Sequence, residues 1–187
     1  MIRALILSGG GFVGISWQSG LATGLLARGV DLRRADLILG TSGGSVAGSQ
    51  LALVHIGDSR AYLLRDAELF QITHDDTVVQ AMVDEGRLTR EEAASHPQRA
   101  MLLRALDGRP ATVPAMRLHQ PRPGDRYLLC SDGVSAVIPD NDIQRVLSVA
   151  ADPENAAAEL MALVHGAGAP DNVTVLIVEA YAYDRSR

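Results

Sequence analysis

The rhythm of hydrophobic and polar positions changes near residue 51. Before that point apolar residues come in short continuous runs closed by glycine. Ala4 to Leu7 precedes "SGGGFVG" and reads as a buried strand. Ile15 to Arg28 carries apolar residues at helical spacing and stops at Gly29, a good helix terminator. Leu37 to Leu39 is a second buried strand, and a second helix is expected to begin within Ser45 to Leu51. Strand, glycine loop, helix, strand, sharp turn and helix is an α/β opening.

After Leu51 the pattern becomes that of short strands and turns. Ala52 to Ile56 and Ala61 to Leu64 flank the turn "GDSR", and Glu68 to Thr73 follows. Together they predict an antiparallel meander. Thr77 to Glu85 and Arg90 to Ser95 are predicted helices, and Thr89 with Glu92 has capping-box spacing. Pro110 to Gly124 reads mainly as loop, with an edge strand in "AMRLHQ". Arg126 to Cys130 is a strand running into "SDG". Asp140 to Ala150 and Glu154 to His165 are amphipathic helices. "GAGAPDN" is a turn, and Val173 to Val178 is the last strand. No repeat, low-complexity segment or linker separates the two styles.

Composition narrows the classes. The chain has 187 residues, enough for one ordinary domain and marginal for two. Hydrophobic residues make up 47%, so a packed core can form. A net charge of −5 with dispersed arginines argues against nucleic acid or an anionic membrane surface as the main partner. The single cysteine, Cys130, excludes an internal disulfide and points to a reducing, cytoplasmic setting. It lies in the apolar run "RYLLCSD" and reads as a buried structural thiol. No apolar run reaches the length of a signal-peptide core or a spanning helix, so no integral membrane association is expected. The five histidines are scattered and lack the spacing of a zinc site.

Two kinds of chemistry are written into the chain. "GGGFVG" sits between a predicted strand and helix, where free backbone N–H groups can hold a phosphate or a developing oxyanion. "GTSGG", Gly40 to Gly44, fits the G-x-S-x-G turn that projects a nucleophilic serine. In this order the two motifs make the first 50 residues resemble the amino-terminal part of the patatin-like phospholipases. That resemblance implies Gly9, Gly10 and Gly11 as the oxyanion hole and Ser42 as nucleophile of a lipid acyl hydrolase. The family's partner aspartate lies in a D-G-[GA] motif. Asp132-Gly133-Val134 and Asp107-Gly108-Arg109 do not match it.

The second chemistry is a set of aspartates at tight turns: Asp58 in "GDSR", Asp132 in "SDG" and Asp171 in "PDN". Carboxylates presented this way suit hard divalent cations. From about Leu51 onward "HIGDSRAYLLRD", "QITHDDTVVQAMVDEGRLTREEAASHPQR", "LLRALDG", "RPGDRYLLCSDGV" and "GAPDNVTVLIVE" resemble PPM-type, metal-dependent protein serine/threonine phosphatases of bacteria. The resemblance implies Asp132 and Asp171 as ligands of a dinuclear Mn²⁺ or Mg²⁺ centre and Asp58, with Asp132, at an additional metal site. It implies residues 86–99 as a mobile flap, and a phosphoserine or phosphothreonine protein as substrate. The family's D-G-x-G-G aspartate and phosphate-holding arginine have no counterpart in residues 1–50, so the metal site is expected to be incomplete and hydrolysis impaired.

The expected fold is therefore α/β (α+β): an incomplete PPM-type α-β-β-α sandwich over residues 51–184. It is preceded over residues 1–50 by a patatin-like strand, glycine loop, helix, strand and nucleophile elbow. A join of this kind allows a third outcome, an inactive chimera or scaffold. Sheet edges left exposed by missing strands would favour self-association.

Overall fold

The computed structural model describes residues 4–6, 37–39, 44–47, 50–104 and 115–181. Along the chain the first strands are β1 (Ala4–Ile6), β2 (Leu37–Leu39), β3 (Gly44–Ala47), β4 (Gln50–His55), β5 (Arg60–Arg65) and β6 (Glu68–Gln71). Helices α1 (Val78–Asp84) and α2 (Arg90–Ala94) precede β7 (Ala115–His119) and β8 (Arg126–Cys130). Then come α3 (Asp132–Ser135), α4 (Asp140–Val149), α5 (Pro153–Gly166) and β9 (Val175–Glu179). The chain divides into two compact units, Met1–Gly57 with Arg104–Pro121, and Asp58–Leu103 with Arg122–Arg187.

The first unit holds a five-stranded sheet in the order β2-β1-β3-β4-β7. β1 and β2 are parallel, with Leu5 opposite Ile38, as their short apolar runs predict. β3 pairs antiparallel with both β1 and β4. The helix expected in Ser45 to Leu51 is therefore replaced by two strands of a hairpin. Ser, Val and flanking Gly are weak helix formers, and extended pairing on both sides gives this segment's backbone groups partners that a helix would not share. The strand-to-helix turn required by a nucleophile elbow is not formed after Gly44. Gly9, Gly10, Gly11, Ser42 and the helix predicted at 15–28 lie outside the described residues. The predicted edge strand in "AMRLHQ" is β7, at the margin of this sheet beside β4.

The predicted meander needs a second correction. β4 and β5 are not a hairpin, because β4 pairs with β3 and β7 while β5 pairs with β6 and β8. "GDSR" is a passage between sheets. Gly57 turns it with a φ of 99°, a left-handed conformation that a side chain resists. The β5–β6 hairpin does form. Its two-residue loop, Asp66-Ala67, has φ values of 53° and 64°, the mirror-image turn that matches strand twist.

The second unit is an antiparallel sheet, β6-β5-β8-β9. Tyr62, Leu64, Leu128 and Cys130 form one core with Val134 of α3, Ile143, Val146 and Leu147 of α4, and Ala156, Leu160 and Val164 of α5. Ala61, Leu63, Tyr127 and Leu129, which alternate with them, are buried as well. Burial on both faces explains why "AYLL" and "YLLC" read as unbroken apolar runs. Burial also pushes the Cys130 thiol up to about 12, so the residue is a packing element.

Caps close the helices as their residues dictate. Thr77 accepts from the Gln80 amide at the start of α1. Thr89 and Glu92 make the reciprocal capping box of α2. Asp152 caps α5, whose first residue is Pro153. Arg126 donates to the carbonyls of Leu147 and Ala150 at 2.6 and 3.0 Å, closing the end of α4, and pairs with Glu179. The segment carrying α1 and α2 is tied at its base by Val78 N–H to the Met101 carbonyl at 2.9 Å and Leu103 N–H to the Asp76 carbonyl at 2.8 Å. No helix among the described residues is long and apolar enough to cross a membrane.

Candidate metal centre

Antiparallel order places the start of β5, the end of β8 and the start of β9 at one end of the strands of the second sheet. Arg60 stands opposite Cys130, and Cys130 opposite Val175. Asp58 lies two residues before Arg60 and Asp132 two residues after Cys130, so both carboxylates sit just beyond this end of the paired strands. Asp171 lies in the turn that leads into β9. Thus three turns that are far apart in sequence adjoin the same end of these strands.

The turns carrying Asp132 and Asp171 are stitched together. Ser131 Oγ donates to the Asn172 carbonyl at 3.2 Å and accepts from Thr174 N–H at 3.0 Å. The Ser131 N–H donates to the Thr174 carbonyl at 3.1 Å. A β-carbon on Gly133 would collide with the Asn172 carbonyl oxygen, so only glycine lets the two backbones meet. Each aspartate then fixes its own turn: Asp132 Oδ1 accepts from Gly133 N–H at 3.0 Å, and Asp171 Oδ1 from Asn172 N–H at 2.6 Å.

Electrostatics mark Asp58. Its carboxyl is held above the usual carboxylate range, first by burial and then by the charge of Asp132 beside it. Two carboxylates that repel each other at a half-buried end of the sheet gain from a cation between them. All the donors are oxygens, the donor chemistry of Mg²⁺ and Mn²⁺, and Mg²⁺ is commonly bound through one or two carboxylates and its own waters. Asp58 and Asp132 are oxygen donors of that class. Among the described residues no group of three or more His, Cys, Asp or Glu is close enough to share a metal. Asp171 therefore reaches the same end without completing a three-carboxylate cluster.

Sequence reasoning singled out the three aspartates but missed the groups that hold their turns. Ser131 and Asn172 were visible only as neighbours of Asp132 and Asp171. Arg60 donates from Nε and Nη2 to Asp75 at 3.0 and 2.8 Å, a pairing across 15 residues that no local motif announces. The one available signal was a charged residue opening an otherwise apolar strand.

No protein-family model matches the chain. Over 138 residues it is 53% identical to the serine/threonine protein phosphatase PstP of Mycobacterium tuberculosis, covering 74% of this chain and 26% of that protein. The chain thus spans about a quarter of that relative's length. The crystal structure of the Mycobacterium tuberculosis serine/threonine phosphatase PstP/Ppp superposes with a TM-score of 0.73 at 43% identity, over 90% of this chain and 70% of that one. The catalytic domain of PstP in complex with two manganese ions superposes with a TM-score of 0.67 at 38% identity, over 94% and 74%. The chain belongs to the PPM family of serine/threonine phosphatases. Nothing in these relatives or in the described strands supports a patatin-like unit over residues 1–50.

Proposed function

We propose that the chain is a metal-dependent phosphoester hydrolase of the PPM type, in which Asp58 and Asp132 hold one Mn²⁺ or Mg²⁺ and Asp171 approaches from the neighbouring turn. The observation that carries this reading is the stitched pair of turns, Ser131-Asp132-Gly133 against Asn172, with Asp58 in the turn that leads into the neighbouring strand β5. A divalent ion bound there supplies positive charge that polarises a phosphoryl group and acidifies a coordinated water. The protein's own part is to hold the carboxylates. Ser131 fixes the backbone on either side of Asp132, and half-burial of Asp58 raises the gain from binding a cation.

The relatives are serine/threonine phosphatases, which makes a phosphoserine or phosphothreonine protein the substrate class of choice. The described carboxylates serve one ion better than two, so slow turnover is expected. The chain, stripped with chelator and resupplied with millimolar Mn²⁺, should release phosphate from a phosphothreonine peptide and bind Mn²⁺ in a calorimeter. Asp132→Asn should lose both. Cooperative melting with neither turnover nor Mn²⁺ binding would leave a scaffold in place of an enzyme. The acyl-hydrolase alternative is disfavoured by strand Gly44–Ala47, and labelling of Ser42 by a fluorophosphonate would revive it. Self-association, if it follows from the open sheet edge, would run along β6, where Phe70 is exposed. The strand's four residues and Glu68 limit such pairing, which sedimentation would measure.

A further inference from the structure

The strand that begins at Asp58's turn carries a buried polar network that the proposed reaction does not use. Arg60 is the first residue of β5 and shares a face with Tyr62 and Leu64. Its guanidinium grips Asp75 through Nε and Nη2, at 3.0 and 2.8 Å, and donates from Nη1 to Tyr62 Oη at 3.2 Å. Tyr62 Oη donates onward to Asp140 Oδ1 at 3.1 Å, at the start of α4. Gln71 Nε2 donates to the other oxygen of Asp75 at 2.9 Å. The Asp75 side chain is 8% exposed and that of Arg60 27%.

A side-on, two-nitrogen grip is the geometry in which arginine cannot be replaced by lysine. The fork is held from three directions, by the segment before α1, by β6 and, through Tyr62, by the first residue of α4. What it holds in turn is the backbone directly after Asp58. Asp58, Ser59 and Arg60 are consecutive, and Arg60 is the first residue of the paired strand. Gly57, just upstream, is in a left-handed conformation that glycine adopts most readily.

We propose that Arg60, locked by Asp75 and Tyr62, is the positioning residue that fixes the Gly57–Ser59 turn so that the Asp58 carboxylate faces Asp132. The proposal rests on the reading of Asp58 and Asp132 as cation ligands. The same strand supplies an internal control. At its far end Arg65 grips Asp125 in an equally close pair, 2.8 Å from Nε and 2.6 Å from Nη2, with no candidate ligand nearby.

The test compares charge-conserving changes at the two ends, Arg60→Lys and Arg65→Lys, in the full chain. Mn²⁺ binding is read by electron paramagnetic resonance of the free ion. Arg60→Lys should weaken Mn²⁺ binding about tenfold, the usual effect of disturbing groups that orient a ligand, and Arg65→Lys by less than about twofold. Tyr62→Phe, which keeps the ion pair and most of the packing, should weaken it by an intermediate factor and serves if Arg60→Lys fails to fold. In parallel, metal-free Asp75→Asn and Asp125→Asn proteins are compared by amide hydrogen exchange. The Asp58 and Ser59 amides should exchange about tenfold faster in Asp75→Asn alone. If the wild type binds no Mn²⁺ but these amides respond, the metal reading fails and the positioning role stands. Unchanged exchange in Asp75→Asn, or Mn²⁺ affinity in Arg60→Lys and Tyr62→Phe within about twofold of a wild type that does bind, overturns the proposal.

Discussion

The two ends of β5 present the same residue type in opposite states. At one end Asp125 is almost wholly buried and fully satisfied. It accepts from Arg65 Nε and Nη2, from Arg122 N–H at 2.7 Å and from Tyr127 Oη at 3.3 Å. Burial works against its charge, but these donors outweigh it and hold the carboxyl below the usual range. At the other end Asp58 is only half-buried, yet burial and the neighbouring Asp132 hold its carboxyl above that range. Burial alone therefore does not decide whether an acid anchors a fold or waits for a cation. The balance of donors against neighbouring negative charge does, and a carboxylate on which that balance is unfavourable is a candidate cation ligand.

Four measurements would break or sharpen this contrast. The largest effect is expected at the anchor. Asp125→Asn should cost about 3 kcal/mol at neutral pH, because it removes the charge of the buried carboxylate that Arg65 grips. The sign follows from the lowered carboxyl: its stabilisation is present above the unfolded value of about 4 and is lost as the pH falls through the folded value. Urea melts of wild type and variant should therefore converge in strong acid. A constant gap would mean the loss is one of packing.

Gly133→Ala tests the opposite end through shape. The added methyl meets the Asn172 carbonyl backbone, and a cost of roughly 1–3 kcal/mol is expected, together with weaker Mn²⁺ binding. Full Mn²⁺ affinity in a destabilised variant would separate the stitch from the site. At Asp58 the expected change is favourable without metal. Asp58→Asn relieves a charge that folding opposes, so melting in chelator should rise by roughly 2–4 °C, while the stabilisation conferred by Mn²⁺ disappears. A lower melting point in chelator would show that the acid is an anchor after all. The smallest effect belongs to the hairpin on the Asp125 side of the strand. Ala67→Gly relieves a left-handed alanine and should add roughly 0.5–1 kcal/mol without touching Mn²⁺ binding.

What the sequence disclosed follows the range of the interactions involved. The capping box at Thr89 and Glu92, the helix start at Thr77 and the strand at Arg126 to Cys130 are local and were legible. β3 was not, since Ser45-Val46-Ala47 has no decisive period and its pairing with β1 and β4 overrides local preference. The "GDSR" turn looked like a hairpin because a turn between two apolar runs does not say which sheet takes each run. For the site, Asp58, Asp132 and Asp171 were legible as turn carboxylates. Their gathering at one end of the strands required the strand order, and the Arg60–Asp75 and Ser131–Asn172 contacts required the folded chain.

The buried Cys130 has a practical consequence. With its thiol sealed in the core and its ionisation pushed up to about 12, the chain's only cysteine should be silent toward maleimides in the native state. A probe can then be attached through a new cysteine at an exposed position without first removing the natural one. In the unmodified protein, slow labelling of Cys130 becomes a clock for global opening, counting how often the helices lift from the sheet.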